Sequence, residues 1–265
     1  MAPPSMANYK LIWSDDFVGA AGSKVNKSLW NYETPAKNSN NEKQHYRESA
    51  ANGGLSGNGT LLITPLKGSD GTWTSARLAS WKSFTCEKNH KMIIQAEIKL
   101  GNNPAANQRG IWPAFWALGA SLNSGGSWPH CGEWDILELT NGSDTNLATI
   151  HYGKDRANHK SNGGSTKFDR SQFHTFAIKV DRTADTWEAQ TIRWYLDGAN
   201  YFTVTGKDIG TYEDWVILAR SPFYILLNVA VGGDFPKDPD VNTLPGHGSG
   251  MEVRYVGVYA GTVAS

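Results

Sequence analysis

The chain has 265 residues, and its 25 Lys and Arg residues balance 25 Asp and Glu residues, so the formal net charge is zero. This balance argues against a nucleic acid or an anionic membrane surface as partner and indicates an uncharged one. No apolar run reaches the ~18–20 residues of a membrane helix. The start, MAPPSMANYK, has no signal-peptide h-region, so we expect either a cytosolic protein or the mature form of a secreted one. Three Asn-x-Ser/Thr triplets, at Asn26, Asn58 and Asn141, weakly favour the secreted form, whose signal peptide is absent from this sequence.

Short apolar runs and alternating patterns, separated by turn residues, predict strands along the whole chain. In order, they lie near 10–17, 59–66, 74–81, 92–100, 111–119, 133–140, 146–153, 174–182, 190–196, 201–205, 223–231 and 251–260. Asp197-Gly198 separates two apolar runs and predicts a hairpin turn, whereas 211–219 predicts one short helix. With no linker or repeat, we expect one all-β domain over 1–265, an antiparallel sandwich or jelly roll with a concave face open to a long ligand.

The segment CGEWDILELTNG, residues 131–142, places three acidic side chains in an apolar run, although repulsion and desolvation both oppose this. In a regular strand Glu133 and Asp135 share one face, and Glu138 points to the other. A β-bulge around 136–137 would return Glu138 to the common face. The carboxyl groups of Glu133 and Glu138 could then approach to ~5–6 Å, which is the spacing of the two carboxylates in a retaining glycosidase.

Spacing alone leaves two other interpretations of these acids open. Three carboxylates can ligate calcium, or they can simply lie on a solvated strand face.

The segment Glu133–Glu138 also matches the E-x-D-x-x-E signature of glycoside hydrolase family 16, in its bulged, laminarinase-like form. Further segments resemble the family in the same order: LIWSDDF (11–17), NNEKQHY (40–46), GTLLITP (59–65), TSARLAS (74–80), WPAFWALG (112–119), ATIHYG (148–153) and LNVAVGGDFP (227–236). Together they cover nearly the whole chain. The resemblance implies a β-jelly roll and the endo-hydrolysis of β-1,3- or mixed β-1,3/1,4-glucans, with retention of configuration.

Carried over residue by residue, the resemblance implies that Glu133 is the nucleophile, Glu138 the general acid/base and Asp135 the assisting carboxylate. The implied substrate-binding residues are Trp112 and Trp116 as stacking platforms, Arg77, His151 and Asn52. All of these except Asn52 have a structural alternative: core packing for the tryptophans, a surface ion pair for the arginine and a satisfied core position for the histidine. Trp134 departs from the usual Ile or Val of the family, and we expect it to face the opposite layer.

Two further expectations concern cysteines and metal. If strands 92–100 and 111–119 are neighbours, Cys86 and Cys131 lie at the same end and could form a disulfide; two buried free thiols are the alternative. Many family members carry a calcium-binding Asp where this chain has Arg254, and a guanidinium cannot ligate a cation. We therefore expect no calcium and no other cofactor, with Arg254 paired to Asp15 or Asp16.

Other functions compatible with the same fold remain open at this point. They are a non-catalytic glucan-binding module, a transglycosylase, and an enzyme acting on galactan, agar, carrageenan or xyloglucan. Binding relatives lack the catalytic carboxylates, and a sulfated polymer calls for a more basic chain. The expected protein is a monomer that binds a β-glucan polysaccharide or oligosaccharide.

Overall fold

The computed structural model describes residues 1–262, and these contain eighteen β-strands and two short α-helices. In chain order the strands are β1 (Tyr9–Asp15), β2 (Trp30–Tyr32), β3 (His45–Tyr46), β4 (Gly53–Leu55), β5 (Leu61–Ile63), β6 (Leu66–Lys67), β7 (Trp73–Ser75), β8 (Arg77–Phe84), β9 (His90–Leu100), β10 (Ile111–Gly119), β11 (Glu133–Glu138), β12 (Thr145–Tyr152), β13 (Lys160–Lys167), β14 (His174–Asp181), β15 (Thr191–Leu196), β16 (Ala199–Thr205), β17 (Phe223–Val231) and β18 (Met251–Thr262). The helices are α1 (Gly206–Ile209) and α2 (Tyr212–Arg220).

Two large antiparallel sheets form the molecule. The eight-stranded sheet has the order β16-β15-β14-β9-β18-β5-β4, with β1 also paired to β18. The seven-stranded sheet has the order β13-β12-β11-β10-β17-β8-β2, and β3, β7 and β6 make a small third sheet. This arrangement confirms the expected all-β jelly-roll sandwich. The last three positions of the predicted domain, 263–265, lie outside the described residues.

The core lies between the two large sheets because each strand alternates its side chains between two faces. Ile94 of β9 and Val258 of β18 enter it from one sheet, and Phe115 of β10 and Ile225 of β17 enter it from the other; all four are fully buried. The opposite face of β10, β11 and β17 is therefore left free for other residue types. That outer face carries the candidate active site.

The local predictions are mostly confirmed. Asp197 and Gly198 both have positive φ, 48° and 80°, as a two-residue hairpin turn between β15 and β16 requires. The predicted helix is α2, and its N-cap Thr211 accepts a hydrogen bond from the backbone N–H of Asp214. No helix in residues 1–262 is both long and apolar enough to cross a membrane.

The predicted disulfide is wrong. Cys86 and Cys131 are both buried free thiols. The prediction assumed that β9 and β10 are neighbours, but β9 pairs with β14 and β18 in one sheet, and β10 pairs with β11 and β17 in the other. Cys86 consequently belongs to the main core, and Cys131 to a small separate cluster around Leu118 and Tyr224.

The expected partner of Arg254 is also wrong. Its Nη1 donates to Glu97 Oε1 at 2.7 Å, and its guanidinium lies 3.7 Å from the centre of the Phe173 ring. Asp15 instead accepts a hydrogen bond from the Trp30 indole at 2.8 Å. The reason is the register of β18, which pairs with both β9 and β1. Tyr255 of β18 pairs with Glu97 of β9, so the neighbouring Arg254 lies beside that acid.

The free thiols give a first prediction. Burial raises the pKa of Cys86 to about 12 and that of Cys131 to about 11, so both stay protonated and unreactive in the folded protein at neutral pH. Unreduced protein should take up two alkyl groups in denaturant and almost none when folded, as measured by intact mass spectrometry. Absence of alkylation in denaturant would show a bridge and contradict this structure.

Candidate active site

The three acids of β11 are brought to one face by a β-bulge, as the sequence predicts. In the pairing of β11 with β10, Glu133 lies opposite Leu118 and Asp135 opposite Trp116. The register then shifts, so that Glu138 lies opposite Ala114 and Ile136 has no partner on β10. One extra residue on β11 therefore turns Glu138 back to the face of the other two acids.

The apolar residues of β11 fill the other face of the strand. Trp134 is buried and stacks on Phe223, with ring centres 3.7 Å apart and planes at 11°. Ile136 and Leu137 are also buried in the main core. The segment is thus two-sided, with the sandwich core on one side and the acids on the other, and Trp134 faces the opposite layer as expected.

An open cavity of ≈ 820 Å³, here called the cleft, lies over the outer face of the seven-stranded sheet. It is lined by Ser39, Asn40, Glu42, Arg77, Trp112, Ala114, Trp116, Leu118, Leu122, Trp128, Glu133, Asp135, Glu138, Arg156, Asn228 and Ala230. Acids and aromatic rings thus share one surface, which is the composition expected of a sugar-binding groove.

Two indole N–H groups donate hydrogen bonds to Glu133 and Glu138, the first and last acids of β11. Trp128 Nε1 donates to Glu133 Oε2 at 3.0 Å, and Trp112 Nε1 donates to Glu138 Oε1 at 3.0 Å. The Trp112 ring in turn meets Phe235 edge-on, with centres 5.4 Å apart. Sequence reasoning identified Trp112 but missed Trp128, which precedes the strand in a loop and has no periodic pattern to mark it.

The middle acid faces a histidine from the next strand. His151 of β12 pairs with Glu133 of β11, and its Nε2 lies 3.1 Å from Asp135 Oδ2 and 3.8 Å from Glu133 Oε1. Asp135 Oδ2 has no hydrogen-bond partner among the described residues, so its approach to His151 is a close polar contact rather than a well-formed hydrogen bond. The three groups offer ligand atoms within 4.8 Å of one another, so their donor set is also one that a divalent cation could use.

Desolvation dominates the electrostatics of the three acids. Burial, and then the charge of Asp135, raises the pKa of both Glu133 and Glu138 to about 8. Burial raises the pKa of Asp135 to about 7. Glu133 and Asp135 titrate as a pair, because ionising one makes the other hold its proton more tightly. The cleft can therefore hold a carboxylate and a carboxylic acid together near neutral pH.

Trp116 is fixed at the floor of the cleft by polar contacts at its edge and face. Its Nε1 donates to Asn228 Oδ1 at 2.6 Å, and the Arg77 guanidinium lies 4.8 Å from its ring centre. Arg77 also pairs with Glu33, with 2.5 Å between Nε and Oε2. The ion pair foreseen as the alternative for Arg77 is thus present, and Arg77 lines the cleft as well.

Asn52 is not brought to the cleft, and its predicted contact with substrate has no support in this geometry. The residue is only 3% exposed, and its amide Nδ2 donates to the Thr64 carbonyl and to Thr74 Oγ1, both at 3.1 Å. Its amide instead joins the residue after β5 to β7.

Comparison with known proteins agrees with this geometry. A family model described as Glycosyl hydrolases family 16 matches residues 57–243, which is more than half of the chain and includes all three acids. The chain belongs to glycosyl hydrolase family 16. The fold is shared as well: an endo-1,3-beta-glucanase from Streptomyces sioyaensis is 33% identical with a TM-score of 0.90, covering 99% of this chain and 100% of that one.

Two curated relatives show how the family varies. The glucan endo-1,3-beta-glucosidase A1 of Niallia circulans is 29% identical over 97% of this chain. The keratan-sulfate endo-1,4-beta-galactosidase of Sphingobacterium multivorum is 27% identical over 95% of it. This family 16 chain spans only 38% and 55% of the lengths of these two relatives.

The raised pKa values predict how stability depends on pH. The folded protein keeps protons on Glu133, Asp135 and Glu138 that the unfolded chain, with ordinary values of 4.5 and 3.8, releases. Their stabilising contribution is thus fully present below pH ~4 and is lost as the pH rises through about 7 to 8. We expect Glu133→Gln to raise the melting temperature relative to wild type at pH 8, and to change it much less at pH 4.5.

The matched control for this measurement is Glu188→Gln, which changes an exposed acid. It should shift the melting temperature little, and equally at both pH values. A Glu133→Gln variant that is less stable than wild type at pH 8 would show that burial of this carboxylate is fully compensated in the folded state.

Proposed function

We propose that this chain is a retaining endo-β-1,3-glucanase, with Glu133 as nucleophile, Glu138 as general acid/base and Asp135 as the assisting carboxylate. The observation that carries the proposal is the arrangement of β11, where a bulge aligns three desolvated carboxyl groups in a cleft bordered by Trp112, Trp116 and Trp128. Paired carboxyl groups with opposite protonation are what glycosidic bond cleavage requires.

In the first step Glu138, protonated, gives its proton to the glycosidic oxygen, and that carbon–oxygen bond breaks. The ionised Glu133 attacks the anomeric carbon and forms a glycosyl ester. The Trp128 indole supports the ionised form of Glu133, because an indole N–H can only donate. Burial and the nearby charge of Asp135 keep the proton on Glu138 until it is transferred.

In the second step a water molecule attacks the same anomeric carbon, and Glu138, now a carboxylate, takes its proton. The ester bond to Glu133 breaks, and the enzyme returns to its first state with the configuration retained. Asp135 assists through His151, whose Nε2 lies 3.1 Å from Asp135 Oδ2 and 3.8 Å from Glu133 Oε1, so that one imidazole faces both carboxylates when Glu133 leaves as an ion. Glu138 and the attacking water supply the protons, and Glu133 and that water supply the nucleophiles, so the proposal requires no metal ion.

The choice of a β-glucan rests on the relatives and on the charge of the cleft. Two of the three relatives named for this chain act, by their names, on 1,3-β-glucans. The third acts on keratan sulfate, and a sulfated polymer calls for unpaired cations. The arginines that line the cleft are Arg77, which is paired with Glu33, and Arg156. A neutral glucan fits this balance better, and because such polymers do not cross membranes the proposal includes secretion.

Product analysis on several polymers tests this proposal directly. Purified protein should release a ladder of oligosaccharides from laminarin, because an endo-enzyme cuts within the chain. Lichenan and barley β-glucan test whether mixed linkages are cut, and keratan sulfate tests the galactosidase alternative. Cleavage of keratan sulfate without cleavage of laminarin would replace the proposed substrate, and binding of laminarin without cleavage would support a glucan-binding module.

Azide rescue tests the separate roles of the two glutamates. With an aryl laminari-oligosaccharide that has a good leaving group, Glu138→Ala should be reactivated by azide to give a β-glycosyl azide, because azide replaces water at the glycosyl ester. Glu133→Ala should give the α-glycosyl azide, since azide then attacks the sugar directly. The product configuration, read by NMR, decides; a β-azide from Glu133→Ala would reverse the two roles.

A further inference from the structure

A second histidine, His159, contacts the site through His151. His151 Nδ1 and His159 Nε2 are 2.8 Å apart. The two rings are nearly coplanar, with planes at 22° and centres 5.1 Å apart, as an in-plane hydrogen bond requires. The other nitrogen of His151, Nε2, faces Asp135 at 3.1 Å. His159, His151 and Asp135 therefore form a continuous chain of polar contacts.

The contacts from His159 through His151 to Asp135 restrict where the protons of these three groups can lie. A neutral imidazole has one N–H and one lone pair, so the group on one nitrogen determines the proton of the other. If His159 donates to His151 Nδ1, His151 carries its proton on Nε2, and Asp135 can remain ionised. If His159 only accepts, His151 carries its proton on Nδ1, and the proton between His151 and Asp135 must lie on the carboxyl group.

His159 also supports Trp128, the indole that donates to Glu133. Its ring centre lies 4.8 Å from that of Trp128, and the Arg156 guanidinium lies 4.9 Å from the same indole. Arg156 and His159 come from the same connection between β12 and β13. One short segment thus contacts the partners of both Glu133 and Asp135.

The segment that carries His159 is held on both sides. Asp155 Oδ1 accepts hydrogen bonds from the backbone N and the side-chain Nδ2 of Asn158, at 3.0 and 2.9 Å. On the other side Lys160 pairs with Asp214 of α2 at 3.0 Å. The backbone on both sides of His159 is therefore held independently of the contact between its imidazole and His151.

The charges around His159 favour its neutral form. Burial, then His151 and Arg156, lower the pKa of His159. The charged and titratable groups that face the pair are Arg156 from the same segment, and Asp135 and Glu133 from β11 behind His151. Two protonated rings would place two N–H groups face to face and break the hydrogen bond. A neutral donor at His159 is the form compatible with an ionised Asp135.

We propose that His159 is a positioning residue, which places the proton of His151 on Nε2 beside Asp135 and holds Trp128 against Glu133. The proposal rests on the proposed function for its kinetic consequence, but not for the proton position itself. The hydrogen bond of His159 goes to His151 and its ring contact to Trp128, so its effect on the acids is carried by these two side chains.

Three substitutions separate its roles, and all should fold because His159 is exposed. His159→Phe keeps a flat ring but loses the hydrogen bond, and should lower kcat roughly three- to tenfold with little change in KM, the size expected for one hydrogen bond. His159→Gln can donate, and should recover most of kcat. His159→Glu can only accept when ionised, and should move the acid limb of the kcat/KM profile to higher pH, because the proton is then held on Asp135.

The control is His45→Phe, which changes an exposed histidine of β3 and should leave kcat, KM and the pH profile as in wild type. Equal kcat in His159→Phe, His159→Gln and wild type, with an unshifted profile in His159→Glu, would overturn the kinetic part. A purely packing role would instead lower thermal stability in all three variants without moving the profile.

A measurement that does not use activity keeps this inference separate from the proposed function. Long-range proton–nitrogen NMR spectra of protein labelled with ¹⁵N-histidine, assigned by the signal lost in His151→Gln, report which His151 nitrogen is protonated. Above pH 7.5 we expect Nε2–H in wild type and His159→Gln, and Nδ1–H in His159→Glu. A wild-type His151 with its proton on Nδ1 would refute the proposal even if laminarin is cleaved. The expected tautomers in a protein that fails to cleave laminarin would refute only the function.

Discussion

Desolvation of three neighbouring carboxyl groups is the constraint on which the rest of this structure depends. Glu133, Asp135 and Glu138 are held together on one face of β11 at the expense of their charged forms, as their raised pKa values indicate. Buried carboxyl groups need hydrogen-bond donors, and the cleft supplies them from its side chains. The Trp112 and Trp128 indoles each give one hydrogen bond to an outer acid.

The opposite face of β11 makes this arrangement stable enough to persist. Trp134, Ile136 and Leu137 are buried in the sandwich core, and the stack of Trp134 on Phe223 ties β11 to β17 across β10. Burying side chains of this size typically contributes ~1.5–3 kcal/mol each, which offsets the cost of placing acids on the other face. A site on a strand inside a large sheet also reorganises little, and preorganised groups are what electrostatic catalysis requires.

Local periodicity was enough to predict most of the elements, whereas predictions that depend on long-range pairing failed. Alternation located most strands, and the five-residue spacing of Glu133 and Glu138 was enough to predict the bulge. Strand β13, KSNGGSTK, was missed because this polar edge strand has no apolar face. The Cys86–Cys131 bridge was wrong because sequence order does not reveal which sheet a strand joins. Trp128 and His159 lie in connecting segments, where no pattern indicates that a side chain reaches the site.

Glu133 and Glu138 accept similar hydrogen bonds, so a difference in how readily they ionise must come from other neighbouring groups. Each accepts one indole N–H at 3.0 Å, and burial raises both pKa values to about the same level. His151 is placed unequally between the two acids, because it pairs with Glu133 across β11 and β12 and its Nε2 lies 3.8 Å from Glu133 Oε1. An N–H on Nε2 at this position would favour the ionised form of Glu133, which is where the proposed mechanism needs a nucleophile. Which glutamate acts as the nucleophile then depends on the His151 imidazole of β12 and on the residue that sets its tautomer.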